Sequence, residues 1–572
     1  MSLKISRRAK GIAAIIVVIA TTILAWIGLG IYVPEINRTE NLPHRIYRVV
    51  KIAMGGDPTA DATPAKGVPW QLLIVKILVV VILIFTVFKI IQKVFYEQYT
   101  ALRLLFKRGH TIVCGIDTKG LQTLRDHKKS WGKNGVGIEV KQDNDKALTA
   151  RKEGHAVIWG DVKEQETLLE AGVTKASNLI CFLPGEQNGI EVLSAVHDIY
   201  EKKKPGNKLN CYLQLNNTRL IEMIERAERL ANYRKAGLDV RFFNFNKMMA
   251  RHLFKTFAAD HYEKISTLKE EEFFRIIIFG FGNAGKALLL QALRVLHFAS
   301  SHKTEIIIAD KNIAGKKKKF EEEYPFAKNI FEITFKEFDG TFKELLNECT
   351  QQADAIPVVI TAFENNDENL ELALEISDAT PEDNFKIYTR NTDSKNVASL
   401  LKNAGNETGR LLFFGDLETF CRMEYITGKE LDKIAQLIHN DYLELQKQAV
   451  ASESARYKTP WEDLPEDARD ANRAQADHMV FKLAQAGIQK TDANIDLSAE
   501  QVEALAIAEH ARWNAHRYIN GWQYGATRND VKKHHPSLVK WEELSEGEKQ
   551  KDRDAILRIP ALLKESKELA QI

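Results

Sequence analysis

Ile12 to Val33 is a run of 22 residues without a single charge, and no other feature constrains the fold of this 572-residue chain as tightly. A bilayer offers no water to backbone groups, so a run of this kind must close its hydrogen bonds internally as a helix. At 1.5 Å per residue it crosses a hydrocarbon layer of about 30 Å. A secretory signal would have a shorter apolar core and a small-residue cleavage site. Trp70 to Ile91 is a second such run, interrupted by Lys76 and by Lys89, which lies near enough to the end to reach the headgroups. Lys4, Arg7, Arg8 and Lys10 precede the first run; Lys93, Arg103, Lys107 and Arg108 follow the second. Positive flanks stay inside, so the pattern predicts an inner (plasma) membrane protein with residues 1–33 and 70–108 carrying two spans, both termini cytoplasmic, and residues 34–69 outside.

The outer segment has a pattern of its own. Ile46, Val49, Val50, Ala53 and Met54 share one helical face, and Arg45, Arg48 and Lys51 the other. Pro43 can open this helix and Gly55-Gly56-Asp57-Pro58 ends it. Span, short helix, glycine-rich turn, span is the layout of a two-span cation pore with a re-entrant pore helix over 43–54, and Gly55, Gly56 and Asp57 are then the selectivity candidates. Against that stand the lack of a TVGYG-like filter and the charges of Lys51 and Lys76. The competing reading is a helix lying on the outer leaflet.

The remainder is ordinary folded protein: 27% charged and 45% hydrophobic residues, enough for about three to four globular units. Lys+Arg of 80 against Asp+Glu of 77 leaves +3, without the basic excess of a nucleic-acid-coating surface. Cys114, Cys181, Cys211, Cys349 and Cys421 are scattered, which excludes a disulfide framework or zinc ribbon and reads as reduced, cytosolic thiols.

After a basic connector, His110 to Ile116 reads as a strand entering Gly115-Ile116-Asp117-Thr118-Lys119-Gly120. Asp117 stands where a dinucleotide turn needs its second glycine, and its charge would repel phosphate. The next strand, around Val136 to Val140, is expected to end at Lys141, where an NAD-type site offers an acid. A Rossmann scaffold without ordinary dinucleotide binding follows. The run ARKEGHAVIWGDVKEQETLLEAGVTKASNLICFL, with Gly154, Gly160-Asp161, Leu169-Ala171-Gly172-Val173 and Ala176-Leu179-Ile180, resembles the regulator-of-potassium-conductance (RCK, or TrkA-N) family. That resemblance implies a first RCK-like domain over 109–265, of a kind that assembles as rings beneath channels and transporters and moves on binding a nucleotide or ion.

A helical crossover (Leu220 to Asn232, Lys247 to Phe257) leads to a buried strand, Phe274 to Phe279, and to Gly280-Phe281-Gly282-Asn283-Ala284-Gly285, a full GxGxxG opening a helix. Free N–H groups and the positive dipole end of that helix suit a phosphate. The following strand, Glu305 to Ala309, ends at Asp310 and Lys311, at the distance expected for a ribose-binding acid. Strand, glycine turn, helix, strand, acid is the context this motif requires. It predicts a nucleotide (NAD(H), ATP/ADP or a related signalling nucleotide) held by Gly280, Phe281, Gly282, Asn283, Ala284, Gly285, Asp310 and Lys311. Lys316 to Lys319 either clamp phosphates or start a solvated helix, the commoner use of adjacent lysines. Further strands are expected at Phe331 to Phe335, Pro357 to Ala362 and Phe385 to Tyr388, and TAFENNDENLELAL resembles the RCK segment that caps the nucleotide cleft. Two RCK-like units (109–265 and 266–445) behind a pore module resemble the gating rings of large-conductance potassium channels and Castor/Pollux channels, which implies a homotetramer.

From Arg456 the character changes. Trp461-Glu462-Asp463-Leu464-Pro465, Asn472, Ala476-Asp477-His478, Glu509-His510-Ala511-Arg512-Trp513, Gly521-Trp522-Gln523-Tyr524-Gly525, His535-Pro536, Trp541, Asp552-Arg553-Asp554 and Pro560 resemble the RyR repeat, a module named from ryanodine receptors, over 456–570. Glu509, Arg512, Trp513, His516 and Arg517 share one helical face, and Trp522 and Tyr524 follow on a glycine-bounded turn. Arginines that fork onto phosphate beside stacking aromatics are the parts of a nucleotide pocket, so Glu509, Arg512, Trp513, Arg517, Trp522 and Tyr524 are ligand candidates. The alternative is that Glu509 pairs with Arg512 or Arg553 and the tryptophans fill a small core.

No GxxxxGK[ST], HExxH, or nucleophile motif is present, so neither a catalytic residue nor a metal site is expected. His439, in LDKIAQLIHNDY, falls on a linking helix. The fold class expected is membrane α plus α/β: two spans, two doubly wound parallel-sheet Rossmann domains, and a mostly helical RyR domain. The function expected is a nucleotide-gated cation channel, potassium being the ion the resemblance implies, with the bilayer, its own copies and a small nucleotide as partners. RyR-repeat proteins of this kind also suggest effectors of nucleotide signalling, including antiviral defence. A membrane-tethered sensor without a pore and an anchored NAD-dependent enzyme are the competing classes.

Overall fold

The computed structural model describes residues 20–31, 41–53, 70–94, 96–226, 228–299, 303–350, 352–380, 385–393, 409–448, 458–488 and 495–566. The chain divides into two compact units, Met1–Phe106 and Lys107–Ile572.

The first unit contains an apolar helix α1 (Ala20–Ile31), an amphipathic helix α2 (Leu42–Ala53) and a long apolar helix α3 (Trp70–Val94). Among the described residues one segment, Trp70–Phe88, is long and apolar enough to cross a membrane, and α1 is the described part of the first apolar run. Val80, Leu83 and Ile84 on α3 are large apolar side chains more than half exposed, which suits lipid rather than water as their solvent. On the other face Ala25 and Leu29 pack on Leu72 and Val75. A Cβ at Gly28 would stand 2.9 Å from Leu72, so glycine there lets α1 and α3 close together. The expected short outer helix is present as α2, but Gly55, Gly56 and Asp57 lie outside the described residues.

The second unit is built on two all-parallel six-stranded sheets. The first holds β1 (Thr111–Cys114), β2 (Val136–Glu139), β3 (Ala156–Trp159), β4 (Asn178–Cys181), β5 (Leu209–Gln214) and β6 (Leu238–Phe243) in the order β3-β2-β1-β4-β5-β6. The second holds β7 (Phe273–Phe279), β8 (Glu305–Asp310), β9 (Glu332–Glu337), β10 (Ala355–Thr361), β11 (Ile387–Arg390) and β12 (Leu411–Phe414) in the order β12-β11-β10-β7-β8-β9. Both follow the doubly wound 3-2-1-4-5-6 order of dinucleotide-binding folds. Covered on both faces by helices, a central strand such as β7 reads as an apolar run broken only by Arg275, which pairs with Glu305, and every one of its residues is buried.

Helix α4 (Thr118–Trp131) follows β1, the crossover helix α5 (Phe245–Asp260) joins the sheets, and α6 (Asn283–Val295), α7 (Ile313–Glu323) and α8 (Asn366–Ala379) belong to the second sheet. A linking helix α9 (Lys433–Gln448) leads to the C-terminal helices α10 (Glu466–Gln485), α11 (Ala499–Ile519), α12 (Glu546–Leu557) and α13 (Ile559–Ser566). One core joins both sheets with α5, α6, α10 and α11, while α9, α12 and α13 pack in a second cluster and α8 in a third. Phe257 of α5 lies 5.4 Å from Phe274 of β7, 6.0 Å from Tyr388 of β11 and 6.1 Å from Phe481 of α10, ring to ring. The chain after β12 turns back onto α4, where Cys421 accepts from Thr123 at 3.1 Å and the Met423 amide donates to Asp126 at 3.1 Å. The C-terminal helices sit on α6: Gln291 donates to Asp477 at 3.0 Å, and the His478 ring meets the His297 carbonyl at 2.9 Å.

A buried ion network fastens the junction. Arg251 of α5 forks onto Asp477 of α10 (2.7 and 2.9 Å) and also reaches Asp432 at 2.7 Å. Arg473 of α10 contacts the other oxygen of Asp432 at 2.7 Å, plus Glu466 and Asp470. Burial alone would raise the Asp432 carboxyl, but the Arg473 and Arg251 guanidiniums outweigh it and bring it down to about 2. Removing one partner of such a set leaves uncompensated charge in the interior, which typically costs about 3–5 kcal/mol. Arg251→Met should therefore lower unfolding stability by about that amount in urea titrations of the detergent-purified chain, and Arg251→Met with Asp477→Asn should recover part of it; an unchanged midpoint would contradict the network's role.

Histidines at the same junction give a pH dependence. Burial, with His478 nearby, lowers His297 to about 3, and burial lowers His478 to about 4. On the unfolded chain both rings titrate near about 6.5, so between that pH and about 4 the unfolded state binds protons that the folded state refuses. Stability should be complete above about pH 6.5 and fall on acidification by on the order of 1 kcal/mol per pH unit for each ring. Urea midpoints between pH 7.5 and 4.5 should show that slope, and His478→Gln should flatten it.

Candidate functional site

Each sheet places one glycine turn between its first strand and the helix that follows, and the two turns differ in a way that decides which can hold an anion. After β1, Gly115 takes φ +82°, and a Cβ on it would stand 2.8 Å from the Phe182 carbonyl oxygen. The helix that opens next is closed by its own carboxylate: Asp117 is the N-cap of α4 and accepts the Gly120 amide at 2.9 Å. The N–H that a phosphate would use is already bonded, and to a negative group. The expected strand end at Lys141 is corrected here. The ladder of β2 stops at Glu139, and its carboxylate accepts the Ile116 amide at 3.0 Å and those of Val140 and Lys141 at 3.0 and 3.2 Å. An acid thus does occupy the strand end, and it is spent on holding the turn.

After β7 the same backbone is built with glycine where Asp117 stood. Gly280 takes φ +97°, with a Cβ position 2.7 Å from the Phe363 amide nitrogen; a Cβ on Gly285 would lie 1.9 Å from the Gly280 carbonyl oxygen. These two glycines are demanded by the turn itself. Gly282 is not: its φ of −83° suits any residue, and a Cβ there meets nothing nearer than the carboxylate end of Glu364 at 3.9 Å. No side chain caps α6 at Gly282. The open space over an uncapped helix start fits a phosphate approaching the backbone closely.

Asp310 ends β8 as expected and is nearly buried; its carboxylate accepts the Phe281 amide and the Lys316 ammonium, the latter at 2.6 Å. Lys316 is therefore set apart from the lysine run, while Lys317 faces Glu321 one turn on and the Phe335 ring. Phe281 packs on Phe320 and Phe335 at 5.7 and 5.5 Å, so the residue between the glycines anchors the turn. Exposed Lys311 reaches Glu368 of α8 at 3.1 Å, joining the lips that follow β8 and β10. The second lip, Phe363–Glu364, is fixed by Asn369, which accepts the Phe363 amide at 2.8 Å, and by Arg390, which donates to the Phe363 carbonyl at 2.8 Å. Asn369 and Arg390 carry no sequence signal of this role. The cleft lies where the strand order reverses, between β7 and β10, the place such sheets bind ligands.

A second concavity, of about 330 Å³, opens among α9, α10 and α11. Arg512, Trp513, Arg517 and Trp522 line it as expected. Glu509 lies behind the wall: it is buried, bonded to Arg512 at 2.7 Å and to Lys482 at 2.5 Å, and although burial alone would raise it, Arg512 and Lys482 hold it well below the usual carboxylate range. Arg553 pairs with Glu503 and Glu546 instead. Tyr524 is 58% exposed and lies outside the lining. His439 of the linking helix, whose ring meets the Thr459 carbonyl at 2.7 Å, joins the wall with Tyr442, as do Arg528 and Lys533 from the loop after Trp522. Among the described residues no group of three or more His, Cys, Asp or Glu side chains is placed to hold a metal ion.

Residues 111–239 match the TrkA-N domain family and residues 493–564 the RyR domain family. No curated protein matches. Among solved structures the chain is similar to the GsuK channel bound to NAD (14% identity over 73% of this chain and 83% of that one, TM-score 0.38) and to GsuK bound to ADP (14%, 73% and 99%, TM-score 0.37). It is similar also to the GsuK RCK domain (13%, 58% and 79%, TM-score 0.38).

The turn geometry separates two glycine substitutions. Gly285→Ala drives a methyl into the Gly280 carbonyl and should destabilise the chain by about 1–3 kcal/mol or more. Gly282→Ala should change stability by no more than about 0.5 kcal/mol. Urea midpoints check both, and equal losses would contradict the open space at Gly282.

Proposed function

We propose that this chain is the subunit of a ligand-gated cation channel of the inner membrane, in which a nucleotide seated at the Gly280–Gly285 turn shifts the pore between closed and open. The observation that carries the reading is the asymmetry of the two turns: Asp117 fills its own helix start, whereas Gly282 leaves the start of α6 uncapped and uncovered. A chain that couples a membrane-length apolar helix to two Rossmann sheets, one shut and one open, has the parts of a sensor. The TrkA-N match over the first sheet supports a regulatory role for the sheets.

The phosphates of NAD(H) or of ATP/ADP would lie on the first amides of α6, with the base and ribose toward the Asp310–Lys311 lip. Asp310 holds the turn through the Phe281 amide, and Lys311 exchanges Glu368 for the ligand. No proton-transfer group is needed, and the role is binding without turnover. Gating follows from differential affinity: the ligand moves the equilibrium by as much as it prefers one state of the ring, and by no more. Four copies around one pore are the assembly this reading requires. The RyR domain, braced on α6 through Gln291 and His297, is the second element through which a ligand reaches the same helix.

A membrane-tethered sensor without a pore is the second reading, favoured by Lys76, a charge inside α3. Planar-bilayer recordings of the purified chain separate them: nucleotide-dependent cation current is expected, and Gly282→Asp, which recreates the self-capped turn of the first sheet, should reduce nucleotide affinity at least tenfold and abolish the response. A silent bilayer with intact nucleotide binding would support the tethered sensor.

A further inference from the structure

We propose that the cavity among α9, α10 and α11 is a second ligand site, separate from the glycine turn, for a small ligand made of one aromatic base and one phosphomonoester, the chemical class of a nucleoside 5′-monophosphate, and not for a dinucleotide. The proposal rests on the reading of the RyR domain as a ligand-receiving element, and deepens it by naming the ligand class.

Size comes first. A space of about 330 Å³ is at the lower end of the range of about 300–1,000 Å³ used by small-molecule sites, enough for a base, a sugar and one phosphate. The wall supplies a stacking surface: the Arg517 guanidinium lies 5.1 Å from the Trp513 ring centre and 4.7 Å from that of Trp522, a flat cation held between two indoles. Trp522 is only 8% exposed, so its ring is fixed before any ligand arrives.

His516 supplies the polar signal. It lines the cavity, is 5% exposed, and its Nδ1 has no hydrogen-bond partner among the described residues. Asn520 donates its amide to Nε2 at 3.2 Å. Burial, with Arg294, Arg512 and Arg517 around it, lowers the ring well below its ordinary value, so it is neutral and its single proton sits on Nδ1. A buried donor without an acceptor is costly, so the ring marks a strained point in the cavity wall.

Charge selects the anion. Arg512, Arg517, Arg528 and Lys533 line the wall against Asp467 and Asp530, a surplus of two positive charges. Asp530 is taken by Arg528 at 2.8 Å, and Glu509, behind the wall, is shared between Arg512 and Lys482. A phosphomonoester carries about −1.5 to −2 at neutral pH and matches that surplus; a cyclic phosphodiester carries half of it. A pyrophosphate-linked pair of nucleosides has its own place at the Gly280 turn.

The test is calorimetry and tryptophan fluorescence on the detergent-purified full chain, with AMP, GMP, CMP and UMP as probes and cyclic AMP, cyclic GMP and NAD as contrasts. At least one 5′-monophosphate should bind and change tryptophan emission, at least tenfold tighter than its cyclic form. Trp522→Leu should weaken it at least tenfold, Arg517→Gln should do so without removing an indole, and Gly282→Asp should leave it unchanged while removing NAD. Four inert monophosphates would overturn the proposal, as would binding lost in Gly282→Asp or kept in both cavity variants, or tighter binding of the cyclic forms. Failure of NAD to bind would count against the glycine-turn reading alone.

Discussion

Asp432 is shared by two arginines, and on that sharing the arrangement of the Lys107–Ile572 unit depends. Arg251 comes from the crossover helix between the sheets, Arg473 from α10, and Asp432 from the start of the linking helix. Three segments far apart in sequence meet at one carboxylate. Water is excluded there, so none of the charges can be left alone, and the directional forks of the guanidiniums permit one docking of α10 and penalise others. The apolar contacts of Phe257 and Phe481 supply area; the ion network supplies the register.

That register sets α6 between the open glycine turn and α10. Its first residues form the open glycine turn, and its last turns carry Gln291 and, just beyond, His297, both bonded to α10. The ring of His516, which lines the RyR cavity, lies in the field of Arg294 on the same helix. A rigid helix of thirteen residues between two concave sites is a short path for a two-state rearrangement, and ligands that prefer different seats of α6 would be coupled by the difference in those preferences.

Much of this was legible because local rules and tertiary context agreed. The run Phe274 to Phe279, the glycine triplet and Asp310 sit in the structure where their spacing places them, since buried parallel strands are mostly apolar and only glycine tolerates the contacts at Gly280 and Gly285. Asp117 was legible as a blocker from its charge, though its bond to Gly120 was not. Lys141 misled because strand ends depend on the neighbouring ladder: β2 pairs with β1 only as far as Ile138 opposite Cys114, which ends the strand at Glu139. β12 escaped notice because four residues, Leu411–Phe414, are too few for a period to show. On α11, helical spacing grouped Glu509 with Arg512 and Trp513 but could not say which side a partner helix would bury; Lys482, on α10, decided that Glu509 faces inward. Arg528 and Lys533 reach the cavity from irregular chain, where no periodicity exists to read.

The central claim is that a nucleotide lies on the amides at the start of α6 and not on those of α4. Backbone hydrogen exchange of the full chain, with and without saturating NAD or ADP, tests it residue by residue. The account predicts slowed exchange at Gly282–Gly285 and unchanged exchange at Asp117–Gly120, because the first set has no cap and the second bonds its own carboxylate. Protection at Asp117–Gly120, or unchanged exchange at both turns while either nucleotide binds, would contradict it.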